Sequence, residues 1–274
     1  MNATAGSATG SPTAAPVTRY VDHVMGMPVS LALRGRHTDD AAARDAWAEA
    51  MATLRDVDRV FSTYRSDSHV SRLDRGEISL VACPPEVLEV LALGERWRQE
   101  SSGAFDVRRR GRDGELHLDP SGVVKGWAVA RAARPLRHLE ETGFCLSAGG
   151  DMVCAADPGA APWRIGVEDP HDPARVVAVV PVHNGAVATS GLAHRGAHIT
   201  DARTGRVPTL VASVTVIADE LVEADLDATA AFALDGEAVS WLAGRRRTAV
   251  VVWADGRREV LGTATQTSPI IRLD

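Results

Sequence analysis

Asp225 and Thr229 are the residues whose types and spacing most clearly suggest chemistry. They are four positions apart at the predicted start of a helix, so the carboxylate and the hydroxyl face the same side. Hard oxygen ligands of this kind suit Mg²⁺ that holds phosphates. A polar turn at residues 198–205, which begins with His198, and a strand-like run at 211–217 precede that helix. The stretch predicts a site for a metal ion and a phosphate-containing ligand.

A second polar turn precedes another predicted helix. Residues 118–127 include Gly122 and then Lys125, which we predict to lie in the first turn of the helix. A helix N-terminus with a lysine is a favourable site for an anion. The phosphate-binding pattern Gly-x4-Gly-Lys-Ser/Thr is absent, and no GxGxxG follows a predicted strand. The segment predicts an anion site outside the common nucleotide-binding motifs.

Local sequence alone favours simpler roles for several of these residues. Asp225 is typical of a helix N-cap, and His198 is typical of a structural histidine in a turn. We interpret His183 and His194 as structural. We interpret Asp227 as a group behind the metal ligands or as a surface charge. The functional interpretation therefore depends on the rest of the chain.

Composition excludes several classes of protein. The chain has 274 residues, 45% of them hydrophobic and 24% charged, with a formal net charge of −6. These values suit a globular protein, and the negative charge argues against a general nucleic-acid binder. Three cysteines without CxxC spacing predict neither a disulfide framework nor a zinc site. Two of them, Cys145 and Cys154, lie in apolar runs and are interpreted as buried small hydrophobic side chains.

The two ends of the chain differ in character. Residues 1–16 are rich in Ala, Thr, Ser, Gly and Pro and lack the charged and apolar regions of a signal peptide. They predict a disordered tail, followed by one large domain at 17–274. No run of about 18 apolar residues is present, which excludes a membrane-spanning helix at the level of sequence. We expect a cytoplasmic protein.

Apolar periodicity and turn residues predict an α+β fold. The predicted helices cover residues 41–61 with Thr38 as N-cap, 85–99 after Pro84, 123–141 with a break at Pro135, and 224–234. The predicted strands cover residues 20–33 with an interruption at Met25-Gly26, 144–148, 152–155, 163–168, 176–182, 186–189, 211–218, 249–253 and 258–261. The last two strands are predicted to form a hairpin.

The order of these turns along the chain resembles the ApbE family of flavin transferases, over roughly residues 20–262. The most specific matches are Lys125-Gly126-Trp127-Ala128, the turn at 198–205 and the spacing of Asp225 and Thr229. The other matching segments are Met25-Gly26-Met27, Phe61-Ser62-Thr63-Tyr64, Ser102-Gly103-Ala104-Phe105-Asp106, Gly149-Gly150-Asp151, Trp163-Arg164-Ile165-Gly166, Thr189-Ser190-Gly191 and residues 224–230.

The resemblance implies an α+β, T-fold-like domain with mixed or antiparallel sheets and packed helices. It implies that FMN moves from FAD to a Thr or Ser hydroxyl of a target flavoprotein, with release of AMP. Mg²⁺ would be held by Asp225, Thr229 and the backbone carbonyl of Gly122, and His198 would be the base. The implied FAD contacts are Met25, Ser62, Thr63, Tyr64, Asp106, Lys125, Gly149, Gly150, Ile199 and Thr204. The implied partners are FAD and the acceptor flavoprotein, with no nucleic acid and no membrane span.

Elementary chemistry agrees with these implied roles. Phosphoryl transfer depends mainly on positioning and on neutralising charge, which a divalent cation and a lysine provide. A hydroxyl is a poor nucleophile, so a base with a pKa near neutrality, such as histidine, assists it. Hydrolysis of FAD to FMN and AMP by the same site is one alternative, because water can replace the hydroxyl. A non-catalytic flavin-binding protein is another.

The chain departs from the family pattern at four places. Met27 stands where threonine is common, and Ala202 stands where proline is expected. Ala130 replaces a common acidic residue, and Asp119-Pro120-Ser121-Gly122 replaces a segment that usually contains Leu-Gly. None of these departures removes an implied metal ligand. They bear on the geometry of the substrate and on the choice of acceptor.

Overall fold

The computed structural model of this protein describes residues 16–111, 113–192, 199–262 and 270–273. The tail prediction, except for Pro16, falls outside these ranges, as do His194 and the candidate base His198. Within the described residues no helix is long and apolar enough to cross a membrane.

Runs of strands follow runs of helices along the described chain, and six strands in succession separate the fourth α-helix from the fifth. The strands are β1 (Thr18–Val24), β2 (Met27–Gly35), β3 (Arg108–Arg110), β4 (Leu116–Leu118), β5 (Thr142–Ala148), β6 (Asp151–Ala155), β7 (Trp163–Asp169), β8 (Asp172–Val182), β9 (Asn184–Gly191), β10 (Val211–Ala218), β11 (Thr248–Trp253), β12 (Arg258–Leu261) and β13 (Ile271–Arg272). The helices are α1 (Ala41–Phe61), α2 (His69–Asp74), α3 (Pro85–Glu100), α4 (Ser121–Ala132), α5 (Leu221–Ala233) and α6 (Ala238–Gly244).

An antiparallel sheet forms the centre of the fold. Among the described residues it has eight strands in the order β1-β2-β5-β6-β9-β10-β11-β12. A smaller antiparallel sheet has the order β13-β8-β7, and β3 pairs with β4 as a separate two-stranded ribbon. The predicted class, helices combined with antiparallel sheets in one unit, is confirmed.

The large sheet is covered on both faces. Alternate residues of its strands, such as Leu31, Phe144 and Val251, pack in one core with the helices. The residues between them, such as Ala32 and Val250, pack against the smaller sheet. This explains why β10 is an almost continuous apolar run, since a strand covered on both faces has no solvent side. The helices α4 and α5 carry several of the site residues described below, and β7 of the smaller sheet also lines the cavity.

Several predicted boundaries were wrong, and each has a local cause. Asp40, rather than Thr38, caps α1 by accepting a hydrogen bond from the Ala43 backbone N–H at 3.0 Å. The helix predicted to reach residue 141 ends at Ala132, and a short 3-10 turn, Pro135–His138, follows because proline lacks the N–H that would extend it. The interruption at Met25-Gly26 is the two-residue turn of the β1–β2 hairpin, and both of its residues have positive φ.

The start of α5 also differs from the prediction, and this difference changes the interpretation of Asp225. The helix begins at Leu221, with Glu220 at the N-cap position. Asp225 therefore lies in the second turn, where its carboxylate is not needed for capping. Lys125 is likewise in the second turn of α4, which begins at Ser121. The N-cap interpretation of Asp225 is excluded.

Candidate functional site

One cavity of about 720 Å³ brings together most of the predicted site residues. Such a volume is typical of pockets that hold small organic ligands. Nine of the predicted residues line it: Asp106, Gly122, Lys125, Gly149, Gly150, Ile199, Thr204, Asp225 and Thr229. They come from α4, α5, the β5–β6 turn and two loops, so the fold assembles the cavity from distant parts of the chain.

A lysine between two aspartates lies at one wall of the cavity. Lys125 Nζ is 2.7 Å from Asp151 Oδ2 and 3.2 Å from Asp225 Oδ1. Both carboxylates are buried, whereas the lysine keeps about a sixth of its side chain exposed, at 17%. The cluster therefore combines one ammonium group with two carboxyl groups, and Lys125 lines the cavity.

Burial and neighbouring charges shift the pKa values of Lys125 and Asp151. Burial alone would lower the pKa of Lys125, but the charges of Asp225 and Asp151 outweigh it and raise that pKa above its ordinary value. Burial raises the pKa of Asp151, and the nearby charge of Asp225 raises it further, while Lys125 opposes both effects. Lys125 is therefore a permanent cation at neutral pH.

Close contact between α4 and α5 sets the position of Asp225. The Gly126 backbone N–H donates a hydrogen bond to Asp225 Oδ2 at 2.9 Å. A Cβ atom at Gly126 would lie 2.8 Å from Asp225 Cβ and 2.9 Å from its Oδ2, closer than side chains approach in proteins. Gly126 is therefore required for the two helices to meet at this distance.

Strand ends supply the remaining partners of the cluster. The Thr189 backbone N–H donates to Asp151 Oδ1 at 3.2 Å. Ser190, one residue further along β9, has its Oγ 3.0 Å from Thr229 Oγ1. These contacts fix the carboxylate of β6 and the hydroxyl of α5 relative to the sheet, because both partners belong to β9.

A tight turn closes another side of the cavity. The Gly205 backbone N–H donates to the Asp201 carbonyl at 2.7 Å, and Gly205 has a φ of 70°. The Arg203 guanidinium binds the Asp201 carboxylate, and the Ala202 N–H donates to the Ala104 carbonyl at 3.0 Å. The turn is thereby held beside the loop that carries Asp106, and it presents Thr204 to the cavity.

The β3–β4 ribbon adds positive charge to the rim. Its three consecutive arginines, Arg108, Arg109 and Arg110, all line the cavity. Arg109 binds Asp119 at 2.7 Å, and Arg110 donates to the Gly114 carbonyl. Arg108 has no carboxylate at ion-pair distance within the described part of the chain. A free guanidinium at the rim is suited to bind a phosphate.

The sequence of this chain matches one known protein family. A family model described as "ApbE family" matches residues 25–111 and 108–252. The chain belongs to the ApbE family. An FAD:protein FMN transferase of Haemophilus influenzae is 24% identical over 77% of this chain and 78% of its own length. One of Klebsiella pneumoniae is 32% identical, over 40% of this chain and only 35% of its own length.

Solved structures of ApbE proteins have the same fold. The ApbE protein of Thermotoga maritima matches with a TM-score of 0.76 and 21% identity, over 90% of this chain and 97% of its own. The flavin transferase ApbE of Vibrio cholerae matches with a TM-score of 0.75 and 22% identity, over 90% and 98%. The expected ApbE-like architecture is thus confirmed.

Four residues implied by the ApbE resemblance lie outside the cavity lining: Met25, Ser62, Thr63 and Tyr64. Met25 is in the β1–β2 turn and packs partly against the main core. Ser62 ends α1, and its carbonyl accepts a hydrogen bond from Ser71 Oγ at 3.3 Å. Tyr64 is 99% exposed, and its ring contacts no other aromatic ring within the described residues. The described cavity does not reach this segment, so flavin contacts there stay a prediction.

The donor set suits magnesium rather than zinc. Asp225, Thr229 and Gly122 line the same cavity and offer a carboxylate, a hydroxyl and a carbonyl oxygen. The described residues contain no group of three or more His, Cys, Asp or Glu that could hold a metal ion. Mg²⁺ is usually bound through one or two carboxylates together with substrate phosphates. The residues present therefore fit a magnesium ion shared with a bound phosphate.

Sequence reasoning missed Asp151, which contacts Lys125 directly. A carboxylate directly after Gly149-Gly150, at the start of an apolar strand, was the available signal, because an aspartate buried there needs a partner. Of the two roles predicted for Asp227, that of a surface charge was wrong. It is fully buried and accepts a hydrogen bond from Trp97 Nε1 at 2.8 Å. His183 is exposed and does not line the cavity.

Proposed function

We propose that this chain is a Mg²⁺-dependent FAD:protein FMN transferase that moves FMN from FAD to a threonine or serine hydroxyl of a partner flavoprotein. The observation that supports the proposal is the convergence of Lys125, Asp225 and Thr229 at one cavity in a chain of the ApbE family. The Haemophilus influenzae and Klebsiella pneumoniae relatives are FAD:protein FMN transferases by name, which supports the transfer of FMN from FAD to a protein.

In the proposed reaction the acceptor oxygen attacks the phosphorus on the riboflavin side of FAD. A new oxygen–phosphorus bond forms, the bond to the bridging oxygen breaks, and AMP leaves with that oxygen. Charge builds up on the pyrophosphate as it breaks, so the site must hold cations against it. Mg²⁺ held by Asp225, Thr229 and Gly122 would supply charge neutralisation.

Lys125 is suited to bind a pyrophosphate oxygen. Its ammonium group forms ion pairs with Asp151 and Asp225, and Lys125 lines the cavity. A phosphate in the cavity would be a further partner for its N–H donors. The two carboxylates keep the ammonium group charged and in place, which positions it before the substrate binds.

The acceptor hydroxyl must also lose a proton. We propose His198 as the base, on the family resemblance and on the usual suitability of imidazole near neutral pH. His198 precedes the turn that carries Ile199 and Thr204, both of which line the cavity. Replacing His198 by Gln should reduce transfer while leaving FAD binding intact.

The direct test incubates the purified chain with FAD, Mg²⁺ and a candidate acceptor flavoprotein. The proposal expects the acceptor to gain the mass of FMN and one AMP to appear for each acceptor modified. Chelation of Mg²⁺ and the variant Asp225→Asn should both abolish transfer. Asp219→Asn, which changes an exposed carboxylate just before α5, is the matched control and should retain it.

The same assay separates the alternatives. FMN and AMP released promptly without an acceptor would identify an FAD pyrophosphatase. Tight FAD binding with no AMP under any condition would identify a flavin-binding protein. Full transfer by Asp225→Asn would overturn the proposed metal site while leaving the activity in place.

A further inference from the structure

Two cysteines lie side by side on the face of the large sheet that packs against the smaller sheet. Cys145 of β5 and Cys154 of β6 are Cα partners in the antiparallel register. Their Sγ atoms are 3.4 Å apart, and both are free thiols. They are on the opposite face of the sheet from Asp151, so they do not belong to the site described above.

The hairpin geometry favours a bond between them. β5 and β6 are joined by the two-residue turn Gly149-Gly150, with φ values of 58° and 95°. In such a hairpin the pair beside the turn is hydrogen-bonded, and the pairs then alternate along the strands. The pair of Cys145 and Cys154, three steps further from the turn, is therefore non-hydrogen-bonded. Cα atoms of such pairs are about 4.5 Å apart, within the range of about 4.4–6.8 Å that disulfides span.

The surroundings of the pair are electropositive. Arg34 is on β2 two residues from Ala32, and Ala32 is the register partner of Cys145. The Arg34 guanidinium stacks on Trp163 at 4.2 Å, and its Nε is buried without a hydrogen-bond partner among the described residues. A guanidinium near a thiol stabilises the thiolate, which is the reactive form.

The two thiols differ in access and acidity. Cys145 is partly exposed, whereas Cys154 is fully buried. The hydrogen bond from Cys154 lowers the pKa of Cys145, burial opposes this, and Arg19 and Arg34 lower it further. The hydrogen bond to Cys145 raises the pKa of Cys154. An external reagent would therefore meet Cys145 first.

We propose that Cys145 and Cys154 form a dithiol site that a small-molecule disulfide such as glutathione disulfide converts reversibly to a cross-strand disulfide. The Cys145 thiolate attacks one sulfur of glutathione disulfide, the sulfur–sulfur bond breaks, and one glutathione thiolate leaves. Cys154, after losing its proton, then attacks Cys145 Sγ in the mixed disulfide and expels the second glutathione. The two protein thiols are oxidised, and glutathione disulfide is reduced to two glutathione molecules.

Cys83 provides the internal comparison. It lies after the short 3-10 turn Leu80–Ala82, and its Sγ donates to the Ser79 carbonyl at 3.7 Å. Burial raises its pKa. No second thiol stands beside Cys83 in the structure as described, and its raised pKa disfavours the thiolate that would attack glutathione disulfide.

The test treats the folded full chain with glutathione disulfide, then denatures it in acid and alkylates the remaining thiols. The proposal expects wild type to lose the mass of two hydrogen atoms and to retain one alkylatable thiol, at Cys83. Peptide mapping should find Cys145 linked to Cys154, and dithiothreitol should restore three thiols. The variant Cys83→Ser should form the same link with no alkylatable thiol left.

Single replacements of the pair test the order of attack. Cys154→Ala should accumulate one glutathione at Cys145, because the resolving thiol is gone, whereas Cys145→Ala should react several-fold more slowly at Cys154. Two alkylatable thiols at Cys145 and Cys154 in treated wild type would overturn the proposal. So would a stable glutathione adduct at Cys145 in wild type, or a link to Cys83.

Discussion

At the scale of single residues, the site depends on charges whose partners are fixed before any ligand binds. Lys125 lies between Asp151 and Asp225, and backbone N–H groups of Gly126 and Thr189 bind the same two carboxylates. Each of these contacts is between buried or nearly buried groups, where unpaired charge is strongly unfavourable. The side chains that would meet the phosphates are therefore positioned in advance, which is how enzymes lower the reorganisation needed for catalysis.

Gly126 offers a test of that positioning. Gly126→Ala would place a methyl group 2.8 Å from Asp225 Cβ, so α4 and α5 must separate or Asp225 must turn away. We expect a loss of about 1–3 kcal/mol in the free energy of unfolding, as for other overpacked cores. We also expect a large fall in the rate of FMN transfer, measured with saturating FAD.

Gly244→Ala is the matched control for that change. Gly244 is the last residue of α6, and a Cβ there would meet no atom within 4 Å. This variant should be as stable and as active as wild type. Equal activity of both alanine variants would show that the contact between Gly126 and Asp225 does not position the carboxylate.

At the scale of elements, α5 is held by a buried ionic network on the side away from the cavity. Asp227 is two residues from Asp225, about 200° around the helix. Its carboxylate binds Trp97 Nε1 of α3 at 2.8 Å and Arg245 at 2.9 Å, and it also contacts Arg247. The network therefore fixes the rotation of α5 and with it the direction in which Asp225 and Thr229 face.

Replacement of Asp227 tests how much this ionic network stabilises the folded protein. Asp227→Asn would remove the carboxylate that Arg245 and Arg247 share, although Arg245 keeps Glu100 and Arg247 keeps Glu223 as partners. We expect a loss of about 1–3 kcal/mol in the free energy of unfolding, measured with urea. Asp56→Asn, which breaks an exposed ion pair with Arg59 in α1, should cost about 0.5 kcal/mol or less. A similar small loss in both variants would contradict the anchoring role.

The β3–β4 ribbon is attached to α2 through a histidine. His117 Nδ1 is 2.9 Å from Asp74 Oδ2, and its Nε2 is 2.9 Å from Asp113 Oδ2. The hydrogen bond with Asp74, and then that with Asp113, raises the pKa of His117. A raised pKa in the folded state means that the protonated ring stabilises the fold. That stabilisation is complete below about pH 6.5 and is lost as pH rises through the raised value.

Replacement of His117 should therefore lower the free energy of unfolding more at mildly acidic pH than at alkaline pH. The difference in unfolding free energy between wild type and His117→Gln should be largest near pH 6 and should shrink as the pH rises, because wild type loses the proton. Urea titrations at a series of pH values measure it. Asp113→Asn, which removes one of the two partners, should show a weaker pH dependence. A difference that grows with pH would contradict the assignment.

At the scale of the whole molecule, local patterns predicted the elements better than their contacts. The strand at 211–218 and the helix at 41–61 were predicted correctly, because apolar runs and helical periodicity are local signals. The strand order was not predicted, since it brings β2 next to β5 over more than a hundred residues. The buried partner of Asp227, Trp97, is 130 positions away, and no short pattern carries that information.

The site residues show the same difference between local motifs, which sequence reveals, and distant contacts, which it does not. The resemblance supplied Lys125, Asp225 and Thr229 from motifs, and the structure brings all three to one cavity. It gave no indication of Asp151 as a partner of Lys125, because that contact joins α4 to β6 across the core. The segment around Tyr64 matches a family motif, yet its position depends on how the end of α1 is packed, which sequence did not determine.

Because the cavity is assembled from distant segments, it exists only when the whole domain is folded. A ligand that binds there stabilises the folded state alone, by about 2.7 kcal/mol at a hundredfold excess over its Kd. For a chain of this size we expect FAD with Mg²⁺ to raise the midpoint of thermal unfolding by about 5 °C or more. Chelation of Mg²⁺ should remove part of the shift, and Asp225→Asn should lose the same part. A shift of equal size in that variant would mean that FAD is held without the ion at Asp225.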